Sequence, residues 1–407
     1  MMGSCVGMAE HEQNKRRVVM SERRVPTPVI VVGFFLVAGI GFVAGAFNSH
    51  FFGGFNTLIG QSQLDLSSAQ ATYQAVKDNF DGDIDDAKLI EGANRGLVAA
   101  LGDQYTVFMN QKESSDFDNS LSGNIGGGIG IELSLRNEQP TVVRVLLDNP
   151  AEKAGVAVGD IVSAVNGESV KGKTTSEIVE KIRGESGTTV KVTIIRDGGG
   201  LKDFTITREQ VNNPSVYGSV VDGVGVMTIS RFDSETGRLA RALATSFKTA
   251  GVKGVVVDLR GNGGGYVTAA QDVVGIWLDK QLVVTEKRGG TVTDEIKTGS
   301  NPILNGVPTV VLINASSASA SEITAGALRD HKAATLLGEK SFGKGSVQKL
   351  VDLSNGTMLK VTVARWYTPS GLNISEKGIT PDTVVTRTVE DLNAGRDPQL
   401  DAAKARF

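Results

Sequence analysis

The chain has 407 residues, enough for two or three domains that each bury their own core. Its 40% hydrophobic and 21% charged residues are ordinary for globular protein, and a net charge of −3 gives no footing for nucleic-acid binding. With one cysteine, Cys5, an intramolecular disulfide, a cysteine-based zinc site and a cysteine-protease reading of the folded part are all excluded.

Pro28 to Phe47 is a stretch of 20 residues without a charge, the length that crosses a bilayer. Lys15, Arg16, Arg17, Arg23 and Arg24 precede it, and no charged residue follows until Asp65. The positive-inside rule then predicts a cytoplasmic tail over 1–27, a transmembrane helix over 28–47 and the bulk of the chain outside the cytoplasm. Ala44-Gly-Ala46 also resembles a cleavage site, so a removed signal peptide remains the rival and would leave a secreted or periplasmic protein. Residues 48–66 are polar and read as a linker.

Over 67–123 the pattern is helical. Tyr73, Val76 and Phe80, then Leu89, Ala93, Leu97, Ala100 and Leu101, recur at three- and four-residue spacing, and Gly102-Asp103 ends the second helix.

Residues 124–209 open on Gly126-Gly-Gly-Ile-Gly130-Ile-Glu-Leu133. Asn149-Pro-Ala-Glu-Lys-Ala-Gly155 and Val158-Gly-Asp-Ile-Val-Ser-Ala-Val-Asn-Gly167 follow, with a helix expected over Ser176–Ile182. This set resembles a PDZ domain, a β-rich α+β fold. The resemblance implies that N–H groups of Ile129, Gly130 and Ile131 form an anion nest for a peptide's terminal carboxylate, while the next strand pairs with the peptide.

Over 210–385, strands at 225–229 and 255–260, a helix over 237–250 and a glycine turn at 261–265 leading to a helix over 269–278 give the alternation of an α/β sheet. A buried strand, 307–313, then runs into Asn314-Ala-Ser-Ser-Ala-Ser319-Ala-Ser-Glu322-Ile, with a helix expected over 322–332. Ser319 therefore lies near a helix N-terminus, where free N–H groups and the dipole favour an oxyanion. Gly338-Glu-Lys-Ser-Phe-Gly343-Lys344-Gly345-Ser-Val-Gln348 comes next. Read alone, Ser319-x-x-Glu322 is equally a capping box. Gly338 to Lys344 approaches a phosphate-binding loop, but Gly345 stands where that motif needs Ser or Thr. A lysine can serve as a base for a serine only if burial leaves it neutral. Strands are expected over 345–351 and 357–365, and His331 reads as a helix-end polar residue.

Together these segments resemble the C-terminal processing peptidases, tail-specific serine proteases with the signature SASASEI … GALxD … GxxTFGKGxVQ. Asp258-Leu-Arg-x-Asn-x-Gly-Gly and the closing Gly378-Ile-Thr-Pro-Asp382 belong to the same pattern, so the resemblance spans about 67–385. It implies an α/β protease core with an inserted PDZ domain behind a helical N-terminal region that contributes dimer contacts. By position it makes Ser319 the nucleophile, Lys344 the general base and Gln348 the residue orienting the lysine. Gly264 or Gly265 with Ala320 would supply the oxyanion donors. Arg183 at the end of the PDZ helix would contact the core as a switch, though a helix-end arginine complementing the dipole explains it equally. Asp103-Gln-Tyr-Thr-Val-Phe108 is a loose match to a further family element. Asp258 reads as a brace for its loop. The expected activity is serine endopeptidase cleavage of proteins with exposed apolar C-terminal tails, without metal or cofactor, in a membrane-bound monomer or homo-oligomer. A PDZ adaptor with an inactive protease fold is the alternative. Residues 386–407 read as a charged tail.

Overall fold

The computed structural model describes residues 65–196 and 199–407. The expected anchor and the tail before it lie outside these, as does all but the end of the linker. Among the described residues, no helix is long and apolar enough to cross a membrane. The chain divides into two units, Met1–Asp85 and Asp86–Phe407.

In the first unit, helix α1 (Ser67–Asn79) buries none of its residues. The second unit opens with α2 (Asp86–Ala99), which also buries none; Leu89, Ile90 and Leu97 are exposed. Next come β1 (Val107–Met109) and α3 (Gln111–Ser122). The capping box of α3 pairs Asn110 with Glu113, and Gly123 closes its C-terminus in the left-handed region.

The PDZ domain is an antiparallel sheet, order β2 (Ile131–Arg136), β3 (Gln139–Val145), β4 (Ile161–Val165), β5 (Thr189–Ile195), β6 (Leu201–Thr207). Alternation sets its inner face: Val190, Val192 and Ile194 of β5 are buried while Thr189 and Lys191 are exposed. Burying each of these side chains is worth about 1.5–3 kcal/mol. Helix α4 (Thr175–Ile182) presses Ile178 and Ile182 onto that face, and its capping box joins Thr174 to Glu177. The helix is one residue longer than expected because Thr174, not Thr175, is the cap.

The core sheet runs β7 (Val216–Val221), β8 (Val224–Ile229), β9 (Gly254–Asp258), β12 (Thr309–Ile313), β13 (Thr335–Gly338), β16 (Thr383–Val384). From β8 onward every pairing is parallel. Helices α5 (Thr236–Ala250), α6 (Val267–Val274) and α7 (Ala320–Asp330) cover it. Ala240, Ala244 and Phe247 form the buried stripe of α5, and β12 is buried at every residue. Helix α6 ends at Gly275, earlier than the apolar pattern suggests, and Ile276, Trp277 and Leu278 continue into the core as a turn. A second sheet has the order β1, β15 (Met358–Tyr367), β10 (Leu282–Arg288), β11 (Thr291–Lys297), with β14 (Ser346–Asp352) also paired to β15.

The C-terminal segment is not a tail. Helix α8 (Pro398–Lys404) lays Leu400 and Ala403 against Val256, Val310, Leu312 and Leu337, and Phe407 joins the same cluster. Its helix is too short to show a convincing period, which is why the pattern reads as solvated.

Candidate active site

Three loops leave the C-terminal ends of adjacent parallel strands, the place where open α/β sheets put their sites. The glycine turn follows β9, the serine turn follows β12, and the lysine loop follows β13.

The serine turn contains four serines. Ser316 is exposed. Ser317 Oγ donates to the Leu259 carbonyl at 2.8 Å, and Ser321 Oγ donates to the Asn262 carbonyl at 2.9 Å. These two are buried braces. Ser319 is half-buried and lines a cavity of 1290 Å³. Its backbone lies at φ 55° and ψ −116°, a conformation that costs a non-glycine residue about 1–3 kcal/mol. The turn has the strained strand-to-helix form of a nucleophile elbow without the G-x-S-x-G sequence.

Asn262 ties the glycine turn to the serine turn. Its carbonyl also accepts from Ala318 N–H at 3.0 Å, and its side chain donates to the Ile229 carbonyl at 2.7 Å. Gly264 then packs against Ser319: a Cβ there would lie 2.7 Å from Ser319 Cβ. With φ +102° as well, the position requires glycine. Gly264 N–H is engaged by Asn262 Oδ1 at 2.8 Å. That leaves Gly265 as the better placed of the two expected loop donors. Ala320 is the first residue of α7, where an N–H has no intrahelical partner.

Lys344 is half-buried and lines the same cavity. Burial, then the charge of Lys360, hold its ammonium below the ordinary lysine range, while Glu322 pulls the other way. Its carbonyl accepts from Trp366 Nε1 at 2.8 Å, and its Nζ stands 5.6 Å from the centre of the Tyr105 ring. Gln348 lines the cavity too, but its amide donates to Ser346 Oγ at 2.8 Å and Thr362 Oγ1 at 3.3 Å.

Glu322 joins the two catalytic candidates. Fully buried, it accepts from Ser319 N–H at 2.9 Å, Ser341 Oγ at 2.6 Å, Gly343 N–H at 2.7 Å and Lys344 N–H at 3.0 Å. Burial pushes its carboxyl upward and these donors oppose the rise. The capping-box spacing had already singled it out, but only as a helix start. Arg260 stands in the Asp258-Leu-Arg pattern, which gives it no role. It bridges Asp258, Asp397 and Gln399 and so clamps the glycine turn to the C-terminal segment. Asp258 braces the loop, as expected. His331 caps the end of α7, with Nε2 2.7 Å from the Leu282 carbonyl, and does not line the cavity.

The cavity continues into the PDZ groove, lined by Ile131 and Leu133 of β2, Thr175 and Val179 of α4, and Arg183 just past the end of α4. Of the expected carboxylate nest, Ile131 lines it; Ile129 and Gly130 are buried in the domain. A Cβ on Gly130 would lie 2.3 Å from Asn149 Cβ, so this glycine serves packing with Asn149.

Residues 223–385 match the family described as Peptidase family S41, and residues 127–207 match the PDZ domain. Residues 56–113 match the Activating protease CtpB N-terminal domain. A probable CtpA-like serine protease of Staphylococcus haemolyticus is 37% identical over 354 residues, covering 86% of this chain and 70% of the relative. The chain belongs to peptidase family S41. The corresponding Staphylococcus aureus protein (strain MSSA476) is 34% identical over 94% of this chain and 77% of its own. Among solved structures, a photosystem II D1 C-terminal processing protease is 30% identical with a TM-score of 0.50, covering 79% of this chain and 87% of its own. A putative S41 protease from Bacteroides fragilis shares the fold, with a TM-score of 0.55 at 18% identity over 75% of this chain and 86% of its own. This S41 member is thus a CtpA-like C-terminal processing serine protease carrying a PDZ domain, and the inactive-adaptor alternative falls away.

Proposed function

We propose that this peptidase cuts protein substrates near their C-termini with a Ser319–Lys344 dyad, and that its PDZ groove binds the substrate tail. The observation that carries the reading is the single cavity shared by Ser319, Lys344, the glycine turn and the PDZ groove. A chain laid along β2 can run from the groove to the serine without leaving it.

Ser319 Oγ attacks the scissile carbonyl while Lys344 Nζ takes its proton. The N–H groups of Ala320 and Gly265 receive the oxyanion; one such donor is worth about 3–4 kcal/mol. The intermediate collapses, the amine leaves with the proton from Lys344, and water, deprotonated by Lys344, releases the acyl group. The oxygen of Gln348 is the free acceptor of its amide and the group that would hold the lysine ammonium.

The uncharged stretch 28–47 with basic residues before it supports a membrane-anchored, extracytoplasmic peptidase, and a cleaved leader would make it soluble outside the membrane. Ser319→Ala in the full chain tests the activity. The variant should fold, bind tails and cut nothing; continued proteolysis would end the proposal.

A further inference from the structure

We propose that Lys360 is an electrostatic positioning residue of this peptidase, a fixed cation on the cavity wall that biases Lys344 toward its uncharged, proton-accepting form.

The sheet sets the geometry. Ser346, Val347, Gln348 and Leu350 of β14 line the cavity; past the register shift at Val347/Gln348, Gln348 and Leu350 share one face. On the neighbouring strand Thr362 pairs with Gln348 and Lys360 pairs with Leu350, so Lys360 stands on the same cavity-facing side as Gln348 and Leu350. Lys360 Nζ lies 5.4 Å from the centre of the Phe117 ring, and both residues line the cavity. A ring holds an ammonium in place without cancelling its charge. Among the described residues, no carboxylate forms an ion pair with Lys360. A charge in a sheltered concavity is screened less than one on open surface.

The other groups around Lys344 divide by sign. The Glu322 carboxylate and the Tyr105 ring favour the ammonium. Glu376 and Lys377, on the turn packed against Gly343, are exposed and oppose one another. Glu132, Glu180, Arg144 and Arg183 line the cavity from the PDZ side. From the core, Arg231 and Arg260 line the cavity as well, but Arg231 is paired with Asp233 and Arg260 with Asp258 and Asp397. Lys360 has no such partner among the described residues and works against the ammonium beside burial itself.

The inference rests on the Ser319–Lys344 reading, and the experiment separates the two. Lys360→Met, Lys360→Arg and Lys344→Ala are made in the full chain and assayed with a short internally quenched peptide from pH 6 to 10. Thermal melts check folding. Lys360→Met should move the rising limb of kcat/KM to higher pH and lower the rate at any fixed pH on that limb. Its high-pH plateau and KM should match the parent, and Lys360→Arg should keep the parent profile. A Met profile superimposed on the parent overturns the inference, and so does a loss that sits in KM at every pH or lowers the plateau equally. Turnover by Lys344→Ala would instead remove the dyad reading beneath it.

Discussion

Two glycine-rich loops, 126–130 in the PDZ domain and 261–265 in the core, look alike in sequence and do different work. Both place glycines at positive φ and both bring backbone against a neighbour. In the core the neighbour of Gly264 is Ser319, whereas in the PDZ domain the neighbour of Gly130 is Asn149. Asn149 in turn holds Leu147 and Asn212 by hydrogen bonds, so the PDZ loop secures its own domain. A glycine run reports that backbone must approach something; only the partner says whether that something is chemistry.

The largest effect should come from the base beside the core loop. Lys344→Ala and Lys344→Arg should both abolish turnover while the protein stays folded, because guanidinium keeps its proton. Near-normal turnover by either at neutral pH would break the core half of the comparison. Next, Gly264→Val should force Ser319 out of place and cost about 10²–10³-fold in kcat, the scale of a lost oxyanion donor or a misplaced group. Gly130→Ala should spare cleavage of a short unspecific peptide and weaken binding of a protein tail through displacement of Asn149. If it instead abolishes all activity, the PDZ loop governs the active site and the two loops are not independent. Amidating a substrate's terminal carboxylate should weaken its binding about tenfold or more, since a charge-assisted hydrogen bond is worth about 1.5–3 kcal/mol. Equal affinity of amidated and free tails in calorimetry would refute carboxylate recognition. The smallest effect belongs to His331→Gln, expected within about twofold of the parent rate, because its ring only holds the Leu282 carbonyl.

The alternation of strands and helices, the PDZ pattern and the grouping of Ser319, Lys344 and Gly264 were legible because each rests on local periodicity or a dense motif. What could not be read was long-range. Asp397 reaches Arg260 across 137 positions, and nothing near either residue announces the other. Glu322 was visible as a cap; its bonds to the lysine loop depend on β13 lying beside β12. Which of four serines faces the cavity is likewise decided by the carbonyls that claim Ser317 and Ser321. The glycine pattern points to a nest at Ile129, Gly130 and Ile131; the packing of Gly130 against Asn149 adds a second, long-range reason for that glycine which the pattern does not show.

The central claim is that Lys344 activates Ser319. The most direct test is the rate at which a serine-reactive phosphonate labels the full chain as a function of pH, with the site read by peptide mass spectrometry. Label should fall on Ser319 alone, and the rate should rise with pH through an apparent pKa below the ~10.4 of a free lysine, because burial and Lys360 disfavour the ammonium. Lys344→Ala should lose the labelling. A flat rate across pH, or undiminished labelling in Lys344→Ala, would contradict the claim.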